Sequence, residues 1–436
     1  MGLVAPLRYR GGMRQQRVRN VAALLVAIGT VFGASACAAG PELPTEPDVS
    51  TSSQPATTDT SAPQDNYAQL QLHPSTTRDG WLRDDYANGF GNVWQPESDT
   101  ASICGVVDGV VMLNESSSSQ SSIVVRGVCL DTHEELYRIE NAECSHEQSV
   151  GDAVAIRTVI GPLTKLLLVE VASGDATQLL ESEDVIAPFG AVYEFNDSVL
   201  LQVTHAHSSA AVYSIDKSGE LQWQQQFDSG NWDCTLLDGG PTGVSEEARL
   251  GCSSFPDDYA IVDATTGEFE VAPGESPVPG QPRWARDGFS VSINSSSVEL
   301  FDLTGTRIDE VSGIDGYHRP KSPHDVLLPI DEFVDAYGVA ALSREGSVVS
   351  YYASASSDHT FISTGTVVER KSDLGEVLVT GAGNAVLYIE NSDSTLYSSS
   401  GEMIGDGPQL EAHTWTVLDG LIVITKAGRA EIHFPR

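Results

Sequence analysis

Short apolar runs, separated by Gly, Asp, Asn and Ser, fill the chain from about residue 76 to its end. Examples are 103-ICGVVDGVVML-113, 199-VLLQVTHA-206 and 420-GLIVITKAG-428. No helical period of 3.6 residues is sustained over three turns. β-Strands bounded by turn residues produce this pattern, so the chain is predicted to be an all-β sandwich, barrel or propeller.

One hairpin recurs along the chain and favours the propeller. In 212-VYSIDKSGELQW-223 two alternating runs flank a tight turn in which Gly219 can adopt a positive φ. Looser copies place the equivalent turn position at Gly91, Glu134, Gly174, Gly267, Gly305, Asp358 and Gly401, with the poorest copy near Asp358. Four-stranded propeller blades repeat at about 40–50 residues, which matches these spacings.

Eight turn positions predict an eight-bladed β-propeller, or seven blades if the stretch near Asp358 is an insertion. Only three strands follow Gly401 and its own strand, at about 412–418, 421–426 and 429–434, so the last blade lacks a fourth. The run 90-FGNVWQ-95 is a strand with no blade before it. We expect this N-terminal strand to complete the last blade and close the ring.

The repeat resembles that of quinoprotein-like β-propellers, the pyrroloquinoline-quinone type, with its D-x-x-T-G-E-x-x-W pattern. Asp216, Gly219 and Trp223 match it in one copy, and Asp263, Thr266, Gly267 and Glu268 in another. The resemblance covers roughly residues 89–436, although most copies lack the terminal tryptophan.

The resemblance also bears on the activity. Quinoprotein dehydrogenases of this family hold their cofactor with adjacent cysteines, and no two cysteines are adjacent here. We therefore expect no cofactor. The chain is more similar to the non-catalytic members, such as the propeller lipoprotein of the bacterial outer-membrane assembly machine, which are scaffolds that bind protein partners.

The N-terminus is predicted to be a targeting segment. Five arginines precede an apolar run from Val21 to Ala34, which is too short for a comfortable membrane span. The following 34-ASAC-37 resembles a lipobox, which implies lipidation of Cys37 on the outer face of the cell membrane. An ordinary secretory signal cleaved near Cys37 or Ala39 is the alternative.

The predicted organisation has three parts. Residues 1–36 form the signal peptide. Residues 37–75 form the lipidated cysteine and a Pro-, Thr- and Ser-rich tether, whose composition is typical of extended, solvated chain. Residues 76–436 form the β-propeller.

The charge limits the class of partner. The chain carries 24 Lys and Arg against 61 Asp and Glu, a formal net charge of −37. Such a surface repels nucleic acid and anionic lipid, and it favours solubility, cations or a basic partner. We therefore expect no nucleic-acid binding, and contact with the membrane only through the lipid anchor.

Five cysteines follow Cys37, and an exported location permits disulfides. Cys234 and Cys252 lie on successive predicted strands, so a hairpin would place them opposite each other. Cys104 and Cys129 stand similarly about a Ser-rich loop, which leaves Cys144 without a partner. The alternative is that all are buried free thiols.

No arrangement of titratable residues specifies a catalytic or metal site. His205 and His207 share one strand face but lack an obvious third ligand. His318 and His324 lie in a Pro-rich loop, a surface that could recognise a partner. The acid pairs Asp84–Asp85, Glu246–Glu247 and Asp257–Asp258 are predicted turn residues. No catalytic and no metal residues are predicted.

Two functions follow. The first is a lipid-anchored extracytoplasmic β-propeller that binds protein or envelope partners without catalysis. The alternative is an extracellular propeller enzyme, a hydrolase or lyase acting on polysaccharide, with its site at the central channel. Carboxylates and histidines that converge at the channel mouth would favour the enzyme.

Overall fold

The computed structural model describes residues 81–436 except for several stretches between strands. These stretches are 117–122, 162, 184–191, 206–208, 228–231, 238–247, 255–257, 275–281, 286, 295–296, 313–338, 343–347, 353–357, 362–366, 370–375, 391 and 412–413. The predicted signal peptide, Cys37 and the tether lie outside the described residues. In the described part, no helix has the length and apolar character needed to cross a membrane.

The described chain consists of strands and two short 3₁₀ helices, Asp84–Asn88 and His146–Gln148. The strands are β1 (Phe90–Trp94), β2 (Ala101–Val107), β3 (Val110–Ser116), β4 (Ile123–Cys129), β5 (Glu135–Glu140), β6 (Ala142–Glu143), β7 (Ser149–Val150), β8 (Ala153–Ile160), β9 (Leu163–Glu170), β10 (Ala176–Ser182), β11 (Val192–Phe195), β12 (Ser198–Thr204), β13 (Ala210–Asp216), β14 (Leu221–Phe227), β15 (Trp232–Leu237), β16 (Arg249–Ser254), β17 (Asp258–Asp263), β18 (Phe269–Val271), β19 (Arg283–Trp284), β20 (Gly288–Asn294), β21 (Ser297–Asp302), β22 (Arg307–Ser312), β23 (Val339–Leu342), β24 (Val348–Tyr352), β25 (Asp358–Phe361), β26 (Val367–Glu369), β27 (Glu376–Val379), β28 (Ala385–Glu390), β29 (Asp393–Ser398), β30 (Met403–Asp406), β31 (Trp415–Leu418), β32 (Leu421–Lys426) and β33 (Arg429–Pro435).

Within the described residues, these strands form eight antiparallel sheets that follow one another along the chain. Sheet 1 is β2–β5, sheet 2 is β6–β10, sheet 3 is β11–β14, sheet 4 is β15–β18, sheet 5 is β19–β22, sheet 6 is β23–β26, sheet 7 is β27–β30 and sheet 8 is β31–β33 with β1. Sheet 2 counts five strands because β6 and β7 both pair with β8.

Neighbouring sheets pack face to face through shared apolar clusters. Sheets 1 and 2, 2 and 3, 3 and 4, 4 and 5, 7 and 8, and 8 and 1 each share one cluster, and β23 of sheet 6 lies beside β27 of sheet 7. A single sheet cannot bury both of its faces alone, so this stacking forms the core. The chain is a β-propeller, and the prediction of an all-β propeller fold is confirmed.

Each sheet has an inner and an outer strand. The first strands of adjacent sheets approach one another, as β31 and β2, β7 and β11, and β23 and β27 do. We call these first strands inner. The last strands, with β1 as the last strand of sheet 8, are the outer strands. Outer strands such as β5 are largely exposed, whereas the second strands, such as β12, are almost entirely buried.

The N-terminal segment before β1 binds two sheets together. Leu82 exchanges backbone hydrogen bonds with Val379 and Gly381 of sheet 7, at 3.0 Å each. The backbone N–H of Arg83 donates to the carbonyl of Gly420 in sheet 8, and its guanidinium pairs with Asp419. The segment that leads into β1 is therefore held between sheets 7 and 8 by these bonds.

β1 continues this segment into sheet 8. Antiparallel to β33, it places Val93 opposite His433 and Trp94 opposite Ile432. Tyr86, just before it, donates its hydroxyl to the carbonyl of His433 and is fully buried. The two ends of the described chain thus share one sheet.

Aromatic side chains of some outer strands dock on the turn of the next sheet. The indole Nε1–H of Trp223 in β14 donates to the carbonyl of Ala264 at 3.1 Å, and its ring covers Gly267. The hydroxyl of Tyr137 in β5 donates to the carbonyl of Val171 at 2.9 Å, and its ring covers Gly174. In both cases the accepting carbonyl is three residues before the turn glycine, so the contact is a repeated device.

The same device links sheet 8 to sheet 1. Trp94 of β1 stacks on His133, with ring centroids 5.5 Å apart and ring planes 23° apart. His133 occupies the turn position with a positive φ of 58°. The predicted turn residue Glu134 was therefore one position too far along. This copy has no glycine, so only the backbone shows which residue is left-handed.

The predicted turn near Asp358 is also wrong. Asp358 begins β25, which pairs with β24 through Phe361. The Ser-rich run 354–357, which suggested the turn, falls between those two strands. The link from β25 to outer strand β26 spans 362–366, outside the described residues. A serine-rich sequence is equally typical of the connection between β24 and β25 and of the connection between β25 and β26, so it could not distinguish them.

Candidate functional site

The inner strands are where a channel site would lie, and the inner strand of sheet 2 is broken. Between β6 and β7 the chain makes the 3₁₀ turn His146–Gln148. Ser145 caps it by a capping box: its side chain accepts from the backbone of Glu147, and its own N–H donates to the Gln148 side chain at 3.2 Å. This irregular edge is fixed by its own hydrogen bonds.

A disulfide ties this break to sheet 1. Cys144 bonds Cys104 of β2, with the Cα atoms 5.9 Å apart, and the hydroxyl of Ser149 donates to the carbonyl of Cys104 at 3.1 Å. The predicted pairing of Cys104 with Cys129 is therefore wrong. The two lie on β2 and β4, which are separated by β3, and strands two apart are about 10 Å apart, beyond disulfide reach.

Cys234 and Cys252 lie directly opposite each other on β15 and β16, and their sulfurs are bonded. This is the arrangement that the predicted hairpin implies, because the two successive strands pair antiparallel. The bond lies within sheet 4, whereas Cys104–Cys144 joins two sheets.

The inner edge carries one histidine with a shifted pKa. Burial lowers the pKa of the His146 imidazole, and the adjacent carboxylate of Glu147 opposes this shift only in part. His146 is therefore neutral at pH 7. Among the described residues, no group of three or more His, Cys, Asp or Glu side chains is placed to hold a metal ion.

Polar side chains between sheets 3 and 4 bind backbone. The hydroxyl of Tyr193 donates to the carbonyl of Cys234 at 2.9 Å. The buried amide of Gln202 donates to the carbonyl of Trp232 and accepts from the N–H of Cys234. Both side chains thereby hold inner strand β15 against sheet 3, an interaction that the hydrophobic pattern could not reveal.

The predicted histidine pair is only partly described. The Nε2 atom of His205 lies 2.9 Å from the hydroxyl oxygen of Tyr213, within hydrogen-bonding distance. The side-chain amide of Gln224 donates to the same hydroxyl at 3.3 Å. His207, His318 and His324 lie outside the described residues. His205 thus belongs to a hydrogen-bonded chain on the face of sheet 3.

The predicted assignment of the acid pairs to turns is wrong for Asp258, which begins β17, whereas Asp84 and Asp85 begin the first 3₁₀ helix. The Asp84 carboxylate accepts from the backbone N–H of Ala382 at 2.7 Å. The Asp258 carboxylate accepts from the N–H of Gly274 at 2.9 and 3.0 Å. Glu246, Glu247 and Asp257 lie outside the described residues.

Carboxylates also close the repeated hairpin turns. Asp216 accepts from the backbone N–H groups of Ser218 and Glu220 at 2.9 and 2.8 Å, and Asp302 makes the equivalent bonds to Thr304 and Thr306. The hydroxyl of Ser218 and these turn N–H groups lower the pKa of Asp216. The repeat's aspartate is therefore a structural residue.

Comparison with known proteins adds structural likenesses only. No family model and no curated protein matches the sequence. Among solved structures, the chain is similar to BamB from Moraxella catarrhalis, at 14% identity over 80% of this chain and 99% of that one, with a TM-score of 0.40. It is also similar to Sqt1 of Saccharomyces cerevisiae, at 9% identity over 78% and 97%, with a TM-score of 0.40.

A third similar structure is the β-propeller domain of the Trilobed protease from Pyrococcus furiosus. The identity is 11% over 77% of this chain and 95% of that one, with a TM-score of 0.34. Likenesses at these identities and TM-scores say nothing about function.

Proposed function

We propose that this chain is a lipid-anchored, extracytoplasmic β-propeller that serves as a protein-binding scaffold without catalysis. The observation that supports the proposal is that polar side chains near the inner strands hydrogen-bond to the protein's own backbone. At the inner strands, Ser149, Tyr193 and Gln202 bind the backbone of a neighbouring sheet. Groups used in this way hold the sheets together, as a rigid platform requires.

The scaffold that we propose is a closed ring of eight blades. The eight sheets and the pairing of β1 with β33 support this closure. The cluster shared by sheets 8 and 1 and the Trp94–His133 stack support it as well. A ring sealed in this way leaves each sheet between two neighbours, so its surface is held in place before any partner arrives.

The proposed lipid anchor rests on the lipobox-like run that ends at Cys37. The net charge of −37 disfavours direct contact of the propeller with an anionic bilayer, so the acyl chains would provide the attachment. The wild-type protein should partition with membranes. Its Cys37→Ser variant should appear in the soluble fraction, and equal membrane partitioning of the two would contradict the anchor.

The scaffold role is tested by crosslinking in native membranes followed by affinity purification of the tagged protein. We expect a specific set of envelope proteins to be enriched with the wild type and to be reduced with Cys37→Ser, because loss of the anchor lowers the local concentration. Polysaccharide cleavage by the purified protein, without enrichment of any partner, would contradict the proposal and support the alternative enzyme.

A further inference from the structure

The outer strands of the described sheets differ in how they protect their free edges. A free edge presents unpaired backbone N–H and C=O groups, and proteins discourage pairing there with charges, bulges or short strands. β5 carries Glu135, Arg138 and Glu140, joined in ion pairs. β22 carries Arg307, Asp309 and Glu310. β18, β26 and β30 have three or four residues each, and each contains an acid.

β14 lacks these protections. Its seven residues, Leu-Gln-Trp-Gln-Gln-Gln-Phe, include no charge. A bulge at Gln222 interrupts its start, but Trp223–Phe227 pairs in unbroken register with β13. β10 is equally long but contains Glu181, ion-paired with Lys165, and uncharged β1 has only five residues with a register shift. Within the described residues, no strand pairs with the outer edge of β14.

Two aromatic anchors hold this edge rigid. The indole N–H of Trp223 donates a hydrogen bond to the carbonyl of Ala264 in sheet 4. Phe227 stacks on Trp232, with ring centroids 4.5 Å apart, and is fully buried. Between them, Gln224 and Gln226 are exposed on the opposite strand face. An edge held in one conformation loses little entropy when a further strand adds to it.

We propose that β14 is a docking edge at which an extended segment of a partner protein adds as a fifth strand of sheet 3. The inference rests on the proposed scaffold function and names its binding surface. Main-chain hydrogen bonds would supply the affinity, and alternate side chains the specificity. The uncharged edge fits a segment without acidic residues in its body.

Charge also indicates which partner fits. Asp216 and Glu220 stand at the turn before β14, and the nearby Lys217 is paired with Glu194 at 2.6 Å. A basic residue flanking the incoming strand would face these carboxylates favourably. A second copy of the chain, with its own charge of −37, is repelled instead. The occupant is therefore a different protein, neutral in its strand and basic beside it.

The test places a photo-crosslinking amino acid at position 224 or 226 of the full-length, membrane-anchored protein in cells. Position 178, an exposed glutamine on outer strand β10, is the matched control. Strand addition predicts adducts several-fold above the control, mapping by mass spectrometry to one segment of a partner. Because strand side chains alternate, the two attachment points on that segment should be two residues apart.

A second variant tests the edge itself. With the crosslinker at 224, Gln226→Glu should suppress the adduct by adding charge to the edge, and Gln226→Asn should preserve it. Adducts no stronger than at position 178, attachment points scattered over a partner, or attachment to β14 of a second copy would each overturn the inference. If membrane purification recovers partners while 224 and 226 yield none, the scaffold stands without this edge. If it recovers none, the scaffold fails as well.

Discussion

Gly267 illustrates how one residue joins two sheets. Its φ is +74°, and a Cβ added there would lie 2.5 Å from the indole ring of Trp223. The glycine is thus required twice, by the left-handed backbone and by the tryptophan lying over it. Only the first requirement can be derived from the D-x-x-T-G-E turn, because Trp223 is 44 residues earlier in the chain.

Two glycine substitutions separate these requirements. Gly274 also has a positive φ, +79°, but a Cβ added there meets nothing within 4 Å. Gly274→Ala should cost about 1–2 kcal/mol of unfolding free energy from left-handed strain alone. Gly267→Ala should cost about 1–3 kcal/mol more from the clash with Trp223. Urea denaturation measures both, and equal losses would contradict the docking of Trp223.

Two half-buried histidines, His146 and His433, should make stability depend on pH. Burial lowers the pKa of His146 and of His433, and Glu431 opposes the second shift only in part. As pH falls through 6.5, the unfolded state binds protons before the folded state does. The contribution of these two histidines to the unfolding free energy should therefore be fully present above about pH 7 and should decline towards pH 5.

The double variant His146→Gln/His433→Gln should flatten this decline when unfolding free energy is measured from pH 7 to pH 5. The carboxylate of Asp216, whose pKa is lowered by Ser218 and the turn N–H groups, supplies an internal control. Its contribution is lost at more acidic pH, as the pH falls through its folded-state pKa, and should persist in the variant. A variant that retains the wild-type slope between pH 7 and pH 5 would contradict the assignment.

At the scale of elements, the strands could be predicted from the sequence, but the contacts between sheets could be predicted only in part. The alternation around Gly219 identified the β13–β14 hairpin, because sheet period and turn chemistry are local. The partner of Cys104 is decided by packing between sheets: Cys144 lies in a break of the inner strand of sheet 2. No local pattern encodes that break, so the pairing could not be derived from spacing.

Non-reducing peptide mapping should link Cys104 to Cys144 and Cys234 to Cys252. These bonds close loops of different length, with sequence separations of 40 and 18 residues. Replacing either pair with serine should cost about 2–4 kcal/mol of unfolding free energy, and the longer loop about 0.7 kcal/mol more than the shorter. A peptide joining Cys104 to Cys129 would contradict the arrangement of sheets 1 and 2.

At the scale of the whole molecule, the sequence predicted the propeller class because a hairpin of one kind recurs at blade spacing. The hydrogen bonds of Leu82 and Arg83 to sheets 7 and 8 could not be predicted, since each joins residues about 300 to 340 positions apart in the sequence. Counting strands in the sequence predicts the pairing of β1 with sheet 8. The register of Val93 opposite His433 now makes it specific enough to measure.

Hydrogen exchange at β1 tests the closed ring most directly. If Phe90–Trp94 seals sheet 8, those of its amides that bond to β33 should exchange as slowly as the amides of β32 in the same sheet, because both open only when the ring does. The intact, folded protein is labelled, the exchange is quenched, and mass spectrometry of its peptic peptides resolves the two segments. Protection of β1 equal to that of β32 is the predicted result; rapid exchange at β1 beside a protected β32 would contradict the closure.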